Sequence, residues 1–204
     1  MSVTAEAATA PGVRDRLIEA AAAITCESGW AAVTMGKVAA RAGFSRQTVY
    51  NELGSKPALG QAMVMRELDR FLAAVEEELD SHDDLVEAIR SAADRTLRMA
   101  QQNPLLDAVL ASAHGVSRGE RGSDNELLPF LTTDAAPLIS AATAVIAERL
   151  PVRFPDTGLD EREATVAIDS VVRLVLSHVM QPSDDPSRTA DAIAWIVARV
   201  LHRH

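Results

Sequence analysis

Gly29, Gly43 and Gly54 each fall where a run of helical period stops, and together they divide the first quarter of the chain into three short helices. Leu17, Ile18, Ala21, Ala22 and Thr25 recur on one face of a stretch from Val13 to Ser28. Thr34 is placed to cap a second helix over Met35–Ala42, and Ser45 a third over Arg46–Leu53. Glycine follows each of them as a stop. Ser55 and Lys56-Pro57 then open a long fourth helix, Pro57–Leu79, with proline in the first turn, where its missing N–H is not needed. Five more helices follow, over Asp83–Gln102, Pro104–His114, Asp134–Leu150, Asp160–Gln181 and Arg188–His202. Strand signals are lacking: β-branched runs are few, and no Asn-Gly or Asp-Gly turn joins alternating hydrophobics. The expected fold is all-α, about nine helices in a three-helix head and a larger helical body, with no internal repeat.

The 204 residues, 48% hydrophobic and 24% charged, describe an ordinary globular chain with a substantial core. Seven aromatic residues are too few to stack successive bases of a single strand, which excludes that mode of nucleic-acid binding. Cys26 is the lone cysteine, so neither an intrachain disulfide nor a Cys-rich zinc module is available. Within an apolar helix face it reads as a small buried hydrophobe, with a sensing thiol as the alternative. The longest uncharged run, Ala135 to Ala147, is far short of a membrane span, and no membrane partner is expected. Residues 1–12 carry neither a basic nor an apolar segment and read as a disordered leader, which makes a reducing cytoplasm the expected compartment.

Charge is unevenly placed. The chain carries −9 overall, yet Val13 to Lys56 holds six basic residues against four acidic ones. Both lysines, Lys37 and Lys56, lie in that stretch. The asymmetry points to an N-terminal module facing a polyanion and an acidic body facing something else.

Residues 34–53 have the pattern of a helix, a tight turn and a second helix, the arrangement that lets a helix lie in a DNA major groove. Val38 and Ala39 on the first helix and Val49 and Leu53 on the second supply the contact between them. Gly43 serves the turn, and Phe44 plugs the shared core. Arg46, Gln47, Thr48, Tyr50 and Asn51 then face outward, a poor core and a good reading surface. Arginine pairs with guanine O6 and N7, and glutamine with adenine. Thr34, Tyr50 and Lys56 are placed to bond phosphates from the flanks. A purely structural helical hairpin is the alternative on this pattern alone.

The run Gly29-Trp30-Ala31-Ala32-Val33-Thr34, then Val38 to Ser45 and Thr48 to Lys56, resembles the DNA-binding region of the TetR family of transcriptional regulators over about residues 13–60. That resemblance implies a DNA-binding domain over 13–56 and a ligand-binding and dimerisation domain over 57–204. It implies a homodimeric, ligand-released repressor on a palindromic operator, with no cofactor. By this likeness Thr34 is a phosphate-contacting cap and Lys37 faces the DNA backbone. Ser45, Arg46, Gln47 and Thr48 hold recognition-helix positions, Tyr50 meets the backbone, and Lys56 approaches a phosphate. Asn51 joins them on the outward face. Two positions depart from the pattern. Glu52 stands where a non-acidic residue is usual, so it is expected to point away from the duplex or restrain an arginine. Gly36 offers no side chain, which leaves more of the reading to Arg46 and Gln47.

In the body, Ile168, Val171, Val172, Val175 and Val179 follow helical period, and Ile193, Trp195, Ile196, Val197 and Val200 repeat it in the last helix. These stripes fit the four-helix dimer interface that the resemblance implies, with an intrachain core as the alternative. Leu68, Phe71, Leu97, Met99, Leu106, Leu110, Phe130, Leu138 and Val145 offer an apolar lining for a small molecule, and Met63 and Met65 would suit a pliable one. Plain core is the competing reading. Arg95 and Arg173 are the charged candidates for the pocket, although Asp169, four residues before Arg173, offers it a helix ion pair. The expected effector is apolar or amphipathic.

Enzyme readings fare poorly. Gly115-Val116-Ser117-Arg118-Gly119 matches a nucleophile elbow, but that motif needs a preceding strand. His82, His114, His178, His202 and His204 lack zinc-site spacing, and His202 and His204 at the terminus suit only adventitious metal. Two rivals to a DNA-binding regulator remain at this point: a helical interaction dimer that no longer binds DNA, hinted at by Glu52, and an all-α enzyme that keeps the head as a relic.

Overall fold

The computed structural model describes residues 12–114, 135–182 and 184–201, with side chains for all of these except 111–114. The helices are α1 (Val13–Ser28), α2 (Met35–Ala42), α3 (Arg46–Leu53), α4 (Lys56–Ser81), α5 (Leu85–Gln101), α6 (Pro104–His114), α7 (Ala136–Arg153), α8 (Glu161–Met180) and α9 (Pro186–Leu201). A 3-10 turn, Trp30–Ala32, joins α1 to α2. No strand occurs among the described residues, as the all-α reading expects. The leader expected over 1–12 falls outside them apart from Gly12, as do Phe130, the Gly-x-Ser-x-Gly run, His202 and His204.

Most helix starts are set by one polar side chain taking an otherwise orphan amide. Thr34 Oγ1 accepts from the Lys37 amide at 3.2 Å, and Ser45 Oγ from Thr48 at 3.0 Å. Ser55 does the same for Ala58, and Asp84 for Glu87. Asp160 and Glu163 cap α8 reciprocally, each side chain accepting from the other's amide. Helix ends shift by up to three residues from the sequence reading. The largest difference is at α7, expected to stop before Pro151. Proline costs that helix one amide donor, and the chain continues one more turn until the Phe154 amide reaches the Leu150 carbonyl at 2.8 Å.

One buried cluster crosses the position-56 boundary expected from sequence. It joins Leu17, Ile18, Ala21 and Ile24 of α1 to Val38, Val49 and Leu53, then to Leu59 and Met63 of α4 and to Leu105, Leu106 and Val109 of α6. The head is therefore built on the first two turns of α4 and is roofed by α6. Beyond this, α4 packs on α5 and α7, α5 on α8 and α9, and α7 on α8. At 26 residues α4 is about 39 Å long and runs from the head deep into the body.

Polar ties fix the body helices. Glu78 of α4 accepts from Ser91 Oγ at 2.7 Å and from Arg95 at 2.9 Å. Arg149 of α7 grips Asp80, and Arg153 bonds the His82 carbonyl and Asp83 at 2.6 Å each. Arg98 donates to Ser187 Oγ, which donates to Asp94, and so the start of α9 is moored to α5.

Candidate nucleic-acid interface and ligand cavity

Two helices of eight residues meet at Gly43, whose φ of 75° and ψ of 32° place it in the left-handed region that a side chain disfavours. The Gly43 amide bonds the Ala39 carbonyl and closes α2. Val38, Ala39, Val49 and Leu53 are buried between the helices, as their spacing predicts. Phe44 is half-buried against the same core, and the Arg16 guanidinium lies 4.7 Å from its ring centroid.

That packing leaves one face of α3 in solvent. Arg46, Gln47, Tyr50 and Asn51 are exposed, with Thr48 half-buried beside them. Gln47 Nε2 donates to Asn51 Oδ1 at 2.8 Å, so these two amides stand as a pair one turn apart. Ser45 and Thr48 hydroxyls lie 2.9 Å apart at the start of the helix. The Arg46 side chain lies along Gly36: a Cβ built on that glycine would stand 3.6 Å from Arg46 Nε. Thr34 and Lys37 flank the same surface, and Lys37 Nζ donates to the Ala32 carbonyl at 2.9 Å. Lys56 Nζ sits 5.0 Å from the centroid of buried Trp30. The geometry brings together Thr34, Lys37, Ser45, Arg46, Gln47, Thr48, Tyr50, Asn51 and Lys56 around two helices of the head.

The basic excess of the head is partly structural, which its charge count alone does not reveal. Arg14 donates to the Glu52 carbonyl at 2.7 Å, and Arg16 to the Ala42 carbonyl at 3.0 Å. Both neutralise the negative ends of short helices. Arg41 forms a two-pronged pair with Glu27 at 2.5 and 2.6 Å. The Glu52 contact runs through its backbone, so no arginine is bonded to its carboxylate among the described interactions. Cys26 is exposed on α1, contrary to the buried position expected. The inward position belongs to Thr25, whose hydroxyl bonds the Ala21 carbonyl. Partial desolvation, followed by the Glu67 and Glu27 carboxylates, raises the Cys26 thiol above the usual cysteine range.

The body holds a half-open cavity of about 730 Å³ between α4, α5, α6, α7, α8 and α9. Leu68, Phe71, Leu106 and Leu138 line it as expected, together with Met63. Met65, Leu97, Met99, Leu110 and Val145 are not among its lining residues. Leu97 is buried in the protein core. Arg95 and Arg173 are not pocket groups either. Arg95 is tied to Glu77 and Glu78, and Arg173 pairs with Asp169 at 2.7 Å. A charge with a carboxylate one turn away gains more from that pair than from an apolar wall.

The stripes assigned to dimerisation divide. Ile168 is buried, and Val171, Val172, Val175 and Val179 are half-buried where they line the cavity and touch the body core. Ile193, only 1% exposed, packs with Ala93 and Ala190, and Val197, 9% exposed, lines the cavity. On α9 Trp195 stays 61% exposed, and Ile196 at 44% and Val200 at 43% are exposed where they line the open side of the cavity. Val166 of α8 is exposed as well. Sequence period finds an apolar helix but does not say which flank its own chain covers.

No group of three or more metal-ligating side chains occurs among the described residues, and no described helix is long and apolar enough to cross a membrane.

Residues 17–63 match the N-terminal model of bacterial regulatory proteins of the tetR family, and residues 84–199 match a tetracycline-repressor C-terminal domain model. The chain is 32% identical to the HTH-type transcriptional regulator AlkX of Mycobacterium tuberculosis, over 94% of this chain and 86% of that protein. Among solved structures it is similar to the repressor AlkX of Dietzia sp. strain DQ12-45-1b, a protein implicated in biodegradation of n-alkanes. That likeness has 27% identity and a TM-score of 0.74, over 93% of this chain and 95% of the other. The fold also matches RolR bound to resorcinol, at 15% identity and a TM-score of 0.62, over 93% and 91% of the two chains. A glycine-locked helix pair with a polar outer face, set on a hollow helical body and matched along nearly the whole chain, makes this protein a DNA-binding transcriptional regulator of the TetR family.

Proposed function

We propose that the protein is a homodimeric repressor that leaves a palindromic operator when a small apolar molecule enters its body. Residues 13–56 would read DNA and residues 57–204 bind effector and partner. The observation that carries the reading is the outer face of α3. Arg46, Gln47, Tyr50 and Asn51 are exposed on a helix whose other face is fully buried, in the arrangement that places base-reading groups in a major groove. Arg46 and Gln47 read bases; Thr34, Lys37, Ser45, Thr48, Tyr50, Asn51 and Lys56 hold phosphates and fix register. Two heads in a dimer would meet half-sites about 34 to 36 Å apart, or a multiple of that.

Effector control follows from the shared wall. Leu106 and Val109 of α6 line the cavity and also belong to the buried cluster of the head. A ligand shifts the equilibrium only by binding one head arrangement better than the other. With this role the protein works in the cytoplasm beside the genome and carries out no catalysis.

The test is a footprint of the purified protein on the DNA upstream of its own gene, at two salt concentrations and with random competitor. A protected inverted repeat that survives competitor supports the reading. Coating that disappears with salt overturns it.

A further inference from the structure

Gln47 and Asn51 stand one turn apart on α3, both exposed, and Gln47 Nε2 donates to Asn51 Oδ1 at 2.8 Å. Val49 and Leu53 hold the buried side of the same helix, so the amide pair looks away from the core of the head. Helix stability does not account for this choice of residues. Asparagine is among the weaker helix formers, and a bond between two neutral amides in water adds little. Nor does the pair tie the head together. Arg14, Arg16 and Arg41 each bond across to another helix, whereas Gln47 and Asn51 bond only within α3.

A side-chain amide has one oxygen that accepts and an NH2 group with two hydrogens to donate. Here one Gln47 hydrogen meets the Asn51 oxygen. Gln47 keeps Oε1 and one N–H, Asn51 keeps its whole NH2, and no protein partner takes any of these among the described residues. A DNA phosphate offers acceptors only, so it takes Asn51 by Nδ2 and leaves Oδ1 toward Gln47. That oxygen can only accept, which turns Gln47 Nε2 toward it and sets Oε1 beside the remaining N–H. An acceptor beside a donor is the complement of adenine, whose N6 donates and whose N7 accepts in the major groove. Guanine shows two acceptors there, O6 and N7. A glutamine free to turn gives both NH2 hydrogens to guanine, or its oxygen to cytosine N4; a glutamine bonded to Asn51 has one hydrogen left.

We infer that Asn51 is a positioning residue for base reading: bridged between a phosphate and Gln47, it holds the Gln47 amide in the orientation that selects adenine over guanine. This rests on the major-groove reading proposed above and names one base of the half-site. The gain is one of preorganisation, since the amide is already turned before DNA arrives.

The experiment selects binding sites from a random double-stranded DNA library with the full-length protein and with Gln47→Ala, Asn51→Ala and Asn51→Asp, then measures affinities on the parent's site and on its single-base variants. The parent is expected to prefer adenine over guanine by about tenfold or more at one position of each half-site. Gln47→Ala should abolish that preference. Asn51→Ala should lower it at least about threefold with Gln47 still present, while melting no lower than the parent. Asn51→Asp keeps the acceptor and repels phosphate, so it should retain the adenine preference and bind every sequence more weakly. A residue that only holds phosphate or supports the helix would change affinity and leave the base ratio alone. An adenine preference as sharp in Asn51→Ala as in the parent, or one that survives Gln47→Ala or is lost in Asn51→Asp, overturns the inference while sequence-specific binding stands. A parent protein that enriches no site overturns the major-groove reading and the inference with it.

Discussion

The Arg46 guanidinium carbon lies 3.9 Å from the place a Cβ would occupy on Gly36, so the missing side chain of one helix forms the bed for an exposed arginine of the next. That spacing is ordinary van der Waals contact, and a methyl group fits it. Gly36→Ala should therefore leave operator affinity within about twofold. It should also stabilise the chain by up to about 1 kcal/mol, since alanine favours a helix interior over glycine, or about 2 to 4 °C in melting temperature for a chain this long. Gly36→Leu displaces Arg46 and should cost operator affinity with little loss of stability. Melting curves and a binding titration on operator DNA check both.

Arg46 and Lys56 should make separable contributions to DNA binding. Arg46→Ala should lower affinity for the operator by about 1 to 3 kcal/mol and relax preference at one base pair per half-site. Lys56→Ala should weaken binding to every sequence alike and reduce the salt slope by about one unit per head. Titrations over a salt series, on operator and on random DNA, distinguish the two. Equal losses of Arg46→Ala on both DNAs would remove its reading role.

Arg16 spends its charge inside the head. Its guanidinium donates to the Ala42 carbonyl at 3.0 Å and covers the Phe44 ring. Arg16→Ala should destabilise the head by about 1 kcal/mol, the ordinary worth of such a bond, and leave the salt slope of DNA binding unchanged. Proteolysis of the head and the same salt series would show whether the effect is structural.

These cases mark where sequence suffices. Caps and stops at Thr34, Ser45, Gly43 and Gly54 act within four residues of themselves, so the head was legible down to its outward face. The body depends on longer reach. α8 is apolar on more than one flank, and only the placement of α4, α5 and α7 decides that Ile168 and Val175 turn inward. Thr25 and Cys26 differ by one step of about 100° around α1, and an alanine-rich face tolerates either inside. Arg95 found Glu77 and Glu78 only because α4 and α5 run antiparallel.

Acid should loosen the body through two carboxylates. The Ser91 hydroxyl and then Arg95 hold Glu78 below the usual glutamate range, and Arg98 and then Ser187 hold Asp94 below the usual aspartate range. A depressed pKa contributes stability that is complete above the ordinary value, near 4.5 for glutamate and 3.8 for aspartate, and is lost as pH falls through the depressed one. The melting temperature should hold steady from neutral pH to about 5 and then decline. Glu78→Gln should start lower and decline less steeply, as a melting series across that range would show.

Trp195 and Ile196 offer the clearest test of assembly. Trp195, with Arg199 stacked 5.3 Å from its ring centroid, is exposed on α9, as are Ile196 and Val200 at the open side of the cavity. Ile193 and Val197 hold the inner side. Trp195→Asp and Ile196→Asp place charge on an exposed surface, so the monomer fold tolerates them, whereas a dimer packed through that surface would have to bury it. Both variants should stay helical and run as monomers by light scattering, while Ile193→Asp should unfold. A monomer binds each half-site separately and loses the effective concentration that linkage provides, so operator affinity should fall by about 10² or more with the α3 face intact. A dimer that survives both substitutions would move the interface away from this surface of α9.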